Sequence, residues 1–259
     1  MRCIFCKADS LVSRTVEHIV PESLGNTEHI LPLGVVCDGC NGYFARKIEK
    51  PLLDGLYFQL LRFRNAIVNK RGRTPAVKGI HLDSGIGIEV RHFGEAGAVF
   101  PINESDGEKF IRSILVNEAG TLVLPDAPEQ ESDKRLMSRF IGKMALEALA
   151  QRFLAVEVGL EEVTDKEELD RLRDYVRWNK GEQDWPFFRR RLYNEDALHK
   201  EGVAEYTILH EYTFLYTDDR DLYFVVAICG VEYVMNMGEP DVQGYSRWLN
   251  QHEHASPLA

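Results

Sequence analysis

The chain of 259 residues is 44% apolar and 28% charged, a composition typical of a globular protein that is long enough to bury a sizeable core. No apolar run approaches the roughly 20 residues that a bilayer span needs, and the chain opens without an apolar signal region. We therefore expect a cytoplasmic protein without a membrane partner, built from a small module and one ordinary domain.

The formal net charge of −10 by itself argues against nucleic-acid binding, but the charge is unevenly distributed. Residues 1–75 carry 11 Lys and Arg against 7 Asp and Glu, a net charge of +4, whereas the remainder carries 20 against 34, a net charge of −14. The amino-terminal segment is therefore predicted to present a face that attracts polyanions.

Four of the five cysteines form two pairs with two residues between the members: Cys3 with Cys6, and Cys37 with Cys40. A two-residue spacer folds a tight turn that directs both sulfurs at one point, so two such pairs predict a tetrahedral Zn²⁺ site rather than a disulfide framework. The fifth cysteine, Cys229, lies in an apolar run and is predicted to be a buried strand residue.

The segment between the cysteine pairs is rich in β-branched residues. It predicts a strand over residues 11–20 that carries Glu17 and His18 near its end, and a second short strand over residues 31–36. After Cys40 the spacing becomes helical, with Asn41 at the start of the helix. The apolar row of this helix consists of Phe44, Ile48 and Leu52.

This combination resembles the HNH endonucleases of the ββα-metal fold, in the subgroup that a four-cysteine zinc site stabilises. The resemblance covers roughly residues 1–52. It is carried by both cysteine pairs, by Glu17 and His18 ahead of Pro21, and by Asn41 directly after the last zinc ligand.

The resemblance implies a set of roles. His18 would be the general base, and Glu17 and Asn41 would bind the catalytic divalent ion, which their oxygen donors suit as Mg²⁺ or Mn²⁺. The products would carry a 5′-phosphate and a 3′-hydroxyl. Two features depart from the family pattern: Asp is common at the position of Glu17, and the family's middle Asn has no clear match, with Asn26 the nearest candidate and His29 another.

Basic residues around the helix are candidates for nucleic-acid contacts. These candidates are Arg46, Lys47, Lys50, Lys70, Arg71 and Arg73. The segment 69–75 is predicted to be a basic loop, and its two interpretations, a phosphate-contacting flap and a solvated linker, are equally supported.

The rest of the chain predicts a mixed α+β body of unassigned fold. In chain order the predictions are a helix that Pro51 opens and that extends to residue 63, strands within 76–123, a helix over 133–157 capped by Ser132, and a polar helix over 165–178. An aromatic and arginine-rich segment at 183–191 is interpreted as an anchored loop, with nucleic-acid binding through stacking and phosphate contacts as the alternative. A β-meander is predicted over 206–237. We accordingly divide the chain into an HNH module (1–52), a helix and basic linker (53–78) and an α+β body (79–259) that selects the target, regulates or assembles.

The sequence favours a metal-dependent HNH endonuclease that hydrolyses phosphodiester bonds, with DNA as the expected nucleic acid. An alternative is a catalytically silent, zinc-stapled nucleic-acid-binding or assembly module. A third hypothesis is a nuclease that stays silent until a partner or ligand arrives, as in a prokaryotic anti-phage defence or restriction system. Cutting both strands of a duplex would require two copies, so a homodimer or an activating partner protein remains an open alternative.

Overall fold

The computed structural model describes residues 1–69, 71–93, 96–117, 119–127, 133–156, 159–181, 184–195, 197–201 and 204–258. It is a mixed α+β structure, as the sequence predicts. Its contacts divide the chain into two compact units, one formed by Met1–Leu52 with Ser132–Ala259 and the other by Leu53–Glu131. These two units differ from the three consecutive segments predicted from the sequence, because the carboxy-terminal half packs with the amino-terminal module.

The structure consists of the following strands and helices, in chain order. The strands are β1 (Glu17–His18), β2 (Ile30–Leu31), β3 (Val77–His81), β4 (Ile86–Phe93), β5 (Ala96–Pro101), β6 (Leu122–Val123), β7 (Phe188–Arg191), β8 (His199–Glu201), β9 (Ala204–Tyr206), β10 (His210–Tyr216), β11 (Leu222–Ile228) and β12 (Val231–Asn236). The helices are α1 (Asp38–Phe44), α2 (Lys50–Leu53), α3 (Leu56–Arg64), α4 (Gly107–Asn117), α5 (Lys134–Leu154), α6 (Glu161–Asp165), α7 (Asp170–Trp178) and α8 (Gln243–Gln251). A π-helical turn, Ala45–Glu49, joins α1 to α2, and 3₁₀ turns cover Glu22–Leu24, Glu104–Asp106 and Glu167–Leu169.

The amino-terminal module has the predicted strand, loop, strand, helix order. Strands β1 and β2 pair antiparallel, and α1 continues through the π-helical turn into α2. The predicted apolar row of Phe44, Ile48 and Leu52 is buried along this continuous helical segment. The three side chains therefore form the core side of the module.

Both strands of the module are shorter than predicted. Leu11 and Val12 are exposed, and the segment that follows has its backbone bound to the Asp38 carboxylate, which accepts hydrogen bonds from the amides of Arg14 and Thr15. Those donors are therefore satisfied by a helix-start side chain rather than by a partner strand. The strand reaches its partner at Glu17.

The larger unit is built around α5 and a four-stranded antiparallel sheet in the order β10-β11-β12-β7. One face of the sheet packs on α8 through Tyr245 and Leu249. On α5, a Cβ at Gly142 would lie 2.6 Å from Val176 Cγ2 on α7 and 3.4 Å from Met235 Sδ on β12. The absence of a side chain at Gly142 thus lets α5 approach both neighbours closely, as its position inside the helix predicts.

The unit Leu53–Glu131 contains a second antiparallel sheet, in the order β5-β4-β3-β6. Ile86, Ile88 and Val90 on β4 form its core with Phe110 of α4. Phe110 is the buried side chain of α4. The apolar residues of this helix nevertheless recur at helical spacing, so the prediction of strands alone within residues 76–123 was wrong here.

Further local predictions differ from the structure. Pro51 does not open a helix: it lies inside α2, and the next helix, α3, starts after an extended Gly55. Asp133 caps α5 by accepting a hydrogen bond from the Leu136 amide, whereas the predicted cap, Ser132, lies outside the described residues. The segment predicted as a loop at 183–191 contains β7, and Trp185 is buried and donates to the Asn236 carbonyl. Within the described residues, no helix combines the length and apolar content that a bilayer span requires.

Candidate functional site

The four paired cysteines meet at one point, as predicted. Their Sγ atoms all lie within 4.8 Å of one another, and Cys6 Sγ is 3.6 Å from Cys37 Sγ. Four sulfurs at about 2.3 Å from a tetrahedral zinc ion are separated by roughly 3.8 Å, so the observed spacing fits zinc. None of the four is in a disulfide. This donor set and its geometry are those of a structural zinc site.

The ionisation of the sulfurs also favours a bound cation. A hydrogen bond with Cys40 holds the pKa of Cys3 at about 5, whereas the same contact and burial raise the pKa of Cys40. Burial likewise raises the pKa of Cys6. Cys3, Cys6 and Cys40 therefore differ in how readily they lose a proton, and a divalent ion bound to the sulfurs would favour the thiolate form of each.

Residues of α7, in the carboxy-terminal half, contact the cysteine cluster and its backbone. Arg177 Nε donates to Cys40 Sγ at 3.0 Å, and Arg173 Nε donates to the Ile4 carbonyl, between the first two ligands, at 2.6 Å. The sequence analysis predicted α7 simply as a polar helix. Two of its arginines in fact contact the zinc-binding segments.

The strand pair β1–β2 places Glu17 and His18 on different faces. Glu17 pairs with Leu31 and both are buried, whereas His18, which is partly exposed, pairs with Ile30, which is exposed. Successive side chains of a strand point to opposite faces. The carboxylate of Glu17 and the imidazole of His18 therefore leave β1 in opposite directions.

Asn41 lies beside this strand. Its Nδ2 donates to the Val16 carbonyl at 2.8 Å, which ties α1 to the residue that precedes Glu17. Because the amide nitrogen makes this bond, the oxygen Oδ1 is the atom that remains for a cation, and no described group donates to it. The structure thus brings Asn41 to the start of β1.

Glu17 is held by a lysine that sequence analysis did not single out. Lys143 Nζ, on α5, lies 2.8 Å from Glu17 Oε1 and also donates to the His18 carbonyl at 3.1 Å. Burial raises the pKa of Glu17, and the charge of Lys143 counteracts this effect. The second oxygen, Oε2, is buried and has no hydrogen-bond partner among the described residues.

Asn26 and His29 are the candidates for the family's middle Asn. The side chain of Asn26 forms hydrogen bonds with the loop backbone, and that of His29 contacts the four-stranded sheet. Asn26 Nδ2 donates to the carbonyls of Val20 and His29, and Oδ1 accepts from the amides of Glu28 and His29. These bonds use the hydrogen-bonding capacity of the carboxamide on loop backbone. His29 Nδ1 lies 3.0 Å from the Tyr212 hydroxyl on β10.

The candidate nucleic-acid contacts fall into separate groups. Arg46, Lys47 and Lys50 are exposed on the π-helical turn and α2. Arg71 and Arg73 are exposed in the unit Leu53–Glu131, on a turn whose amides bind Asn69 Oδ1. Lys70 lies outside the described residues.

Helix α5 carries a row of polar side chains that the sequence analysis missed. Their four-residue spacing places them on one face of the helix. They are Arg139, whose Nη2 donates to the Tyr43 hydroxyl; Lys143; Glu147; and Gln151, whose Oε1 accepts from the Tyr212 hydroxyl. The signal in the sequence was this repeat of polar residues at intervals of four within the helix.

Comparison with known families agrees with this geometry. Residues 3–56 match the family model described as HNH endonuclease. No curated protein and no solved structure matches the chain. The matched segment contains both cysteine pairs, β1, β2 and α1, the elements that assemble the site. The resemblance seen in the sequence is therefore confirmed for residues 3–56, which match the HNH endonuclease family.

Proposed function

We propose that the protein is a metal-dependent HNH endonuclease that hydrolyses phosphodiester bonds in nucleic acid, with DNA as the preferred class. The observation that carries this proposal is the family match over residues 3–56 together with the position of Asn41 against the strand of His18. The zinc site at Cys3, Cys6, Cys37 and Cys40 would hold the fold rather than take part in the reaction.

The residues present fit a catalytic divalent ion on two observations. Glu17 Oε2 is a buried carboxylate oxygen without a hydrogen-bond partner among the described residues, and Asn41 Oδ1 is the oxygen left over by the bond to Val16. Both are hard donors that suit Mg²⁺ or Mn²⁺. Such an ion, when bound, neutralises charge that develops on the phosphate.

The role proposed for His18 is that of general base. A neutral imidazole accepts a proton from an attacking water at cellular pH, and β1 presents this ring on its less buried face. That face is where a phosphodiester in solvent can approach. The exposed Arg46 and Lys47 of the following helical turn would contact the flanking phosphates.

One observation favours the alternative of a catalytically silent nucleic-acid-binding module. The Glu17 carboxylate is engaged by Lys143 on the buried face of β1, opposite to His18. Cleavage would require Oε2 to serve the ion while Oε1 stays with the lysine. Nucleic-acid binding without any cleavage in Mg²⁺ or Mn²⁺ would support this alternative.

The uneven charge supports a finer proposal, namely a nuclease that acts when its basic face is presented by a partner, a ligand or a second copy. The segment after residue 75 carries 34 acidic against 20 basic side chains and repels polyanions. An anti-phage defence effector in a reducing compartment such as the cytoplasm would fit both this charge pattern and a thiolate zinc site.

Incubation with supercoiled plasmid, linear duplex, single-stranded DNA and RNA tests the proposal and defines the substrate class. The assay compares Mg²⁺, Mn²⁺ and no added divalent ion. We expect ion-dependent nicking of DNA. A protein that binds these substrates and cleaves none of them would contradict the nuclease assignment.

A further inference from the structure

Lys143 occupies an unusual position for a charged side chain. It lies in the middle of α5 and is completely buried. Its ammonium group is surrounded by four oxygens, which are Glu17 Oε1 at 2.8 Å, Glu49 Oε1 at 2.8 Å, Glu147 Oε2 at 3.0 Å and the His18 carbonyl at 3.1 Å. A buried ammonium persists when its charge and its donors are satisfied in this way.

The partners of Lys143 come from different parts of the chain. Glu147 is on the same helix, Glu49 ends the π-helical turn, and the other two contacts are made to both residues of β1. One contact is to the side chain of Glu17, and the other is to the backbone of His18. The lysine therefore fixes the strand at two consecutive residues.

Strand β1 needs such an anchor because it is short. It pairs with β2 over two residues, Glu17 with Leu31 and His18 with Ile30. A two-residue ladder constrains strand direction weakly. The direction of the peptide at His18 in turn determines where its imidazole points.

We propose that Lys143 is a positioning residue of the nuclease site, which fixes β1 from α5 and so sets the location of the His18 imidazole. This inference rests on the proposed function. It also makes α5, which lies outside the family-matched segment, a structural part of the site. Lys143 does not reach the exposed face of β1 itself, so it acts through Glu17 and His18.

The test uses the full-length chain with Lys143→Met and the double variant Lys143→Met/Glu147→Leu. The single variant keeps the lysine stem but leaves three carboxylates without their cation, so it can fail to fold. The double variant replaces both fully buried ionisable side chains of α5 by apolar side chains of similar length, a change that buried ion pairs often tolerate. Glu49 retains some exposure and can turn toward solvent.

Leu249→Ala is the matched control. It removes a buried side chain between α8 and the sheet, in a cluster that does not include α5 or β1. It therefore lowers the melting temperature without touching the site.

For the folded double variant we expect kcat for plasmid nicking to fall about 10- to 100-fold with little change in KM, because a displaced base slows the reaction without weakening substrate binding. The control should retain kcat. Hydrogen–deuterium exchange should be faster at the Ile19 amide, which donates to the His29 carbonyl next to β1, in the double variant and unchanged in the control.

A folded double variant with parental kcat and parental exchange at Ile19 would overturn the inference. A fall in kcat with a matching rise in KM would likewise contradict it, because it indicates weakened substrate binding, and an equal fall of kcat in Leu249→Ala would assign the loss to general destabilisation. If the parent chain nicks nothing, the proposed function fails, but the exchange at Ile19 still decides whether Lys143 holds the strand.

Discussion

Arg177 on α7 donates from Nε to Cys40 Sγ over 3.0 Å. Its guanidinium also stacks on two rings, 4.1 Å from the centre of Tyr43 and 4.0 Å from the centre of Trp178. The aromatic contacts hold the donor in place, and the donor stabilises negative charge on the sulfur. The four-cysteine cluster is therefore contacted by a residue that lies far outside the family-matched segment.

We predict that Arg177→Met weakens zinc retention about 10-fold or more, because groups that donate to metal ligands tune affinity by that order. Competition with a chromophoric chelator measures the change. Arg152→Met is the control, since that guanidinium lies over Phe214, 5.9 Å from the ring centre, and has no contact with a zinc ligand. Equal zinc affinity in the parent and Arg177→Met would contradict this role.

Cys37→Ser should abolish binding of one zinc ion per chain. Two-residue strands and one helical segment give the amino-terminal module little regular secondary structure, so we expect the loss of zinc to unfold it. Elemental mass spectrometry measures the stoichiometry, and limited proteolysis within residues 1–52 reports unfolding. Cys229→Ser changes a buried cysteine outside the cluster and should retain the metal. A Cys37→Ser protein that keeps a full zinc ion would refute the assigned ligand set.

Arg173→Met should lower the free energy of unfolding by about 3 kcal/mol. Arg173 is buried, and besides the Ile4 carbonyl it binds the Val163 carbonyl through Nη2 at 2.6 Å, so the substitution leaves two buried acceptors unpaired. Urea denaturation measures the change. Arg171→Met, an exposed position two residues earlier on α7, should stay within about 0.5 kcal/mol. Similar decreases in the free energy of unfolding for the two variants would show that the buried hydrogen bonds of Arg173 contribute no more to stability than an exposed side chain does.

We predict that the protein loses stability in mild acid because of His210. Burial lowers the pKa of His210, and the neighbouring His29 lowers it further, while the Gly25 carbonyl and Glu28 act in the opposite direction. The folded pKa therefore lies below the unfolded value of about 6.5. Below pH 6.5 the unfolded chain binds a proton at His210 that the folded chain does not yet bind. The contribution of His210 to the free energy of unfolding is therefore fully present above pH 6.5 and decreases as the pH falls below that value.

Urea midpoints between pH 8 and pH 5.5 test this prediction for the parent and for His210→Gln. The variant should show a shallower decrease because it lacks the titrating group. An identical pH dependence in both proteins would assign the acid sensitivity to other residues.

Local spacing predicted much of the site. The cysteine pairs, the order strand, loop, strand, helix and the apolar face of α5 all depend on residues close together in sequence, so periodicity and motif spacing reveal them. Met137, Phe140 and Met144 are indeed fully buried on α5. The clustering of the four cysteines and the position of Asn41 at the start of the helix were predicted in this way.

The rest depends on tertiary contacts, which spacing does not show. In the sequence alone, Lys143 is a charged residue that interrupts the apolar pattern of a helix. Its ion pair with Glu17, 126 positions earlier, is evident only in the structure. Likewise, a run of three arginines does not predict the strand β7. This run of arginines is compatible with a sheet because Arg190 Nε donates to the fully buried Glu232 on β12 at 2.6 Å.

The central claim is tested most directly by the rate of plasmid nicking in Mn²⁺ for the parent chain and for His18→Ala, both verified to hold zinc and to share a melting temperature. The account predicts ion-dependent nicking by the parent and a loss of at least about 100-fold in the variant, the usual contribution of a general base. Equal rates in the two proteins, or nicking that persists without a divalent ion, would contradict it.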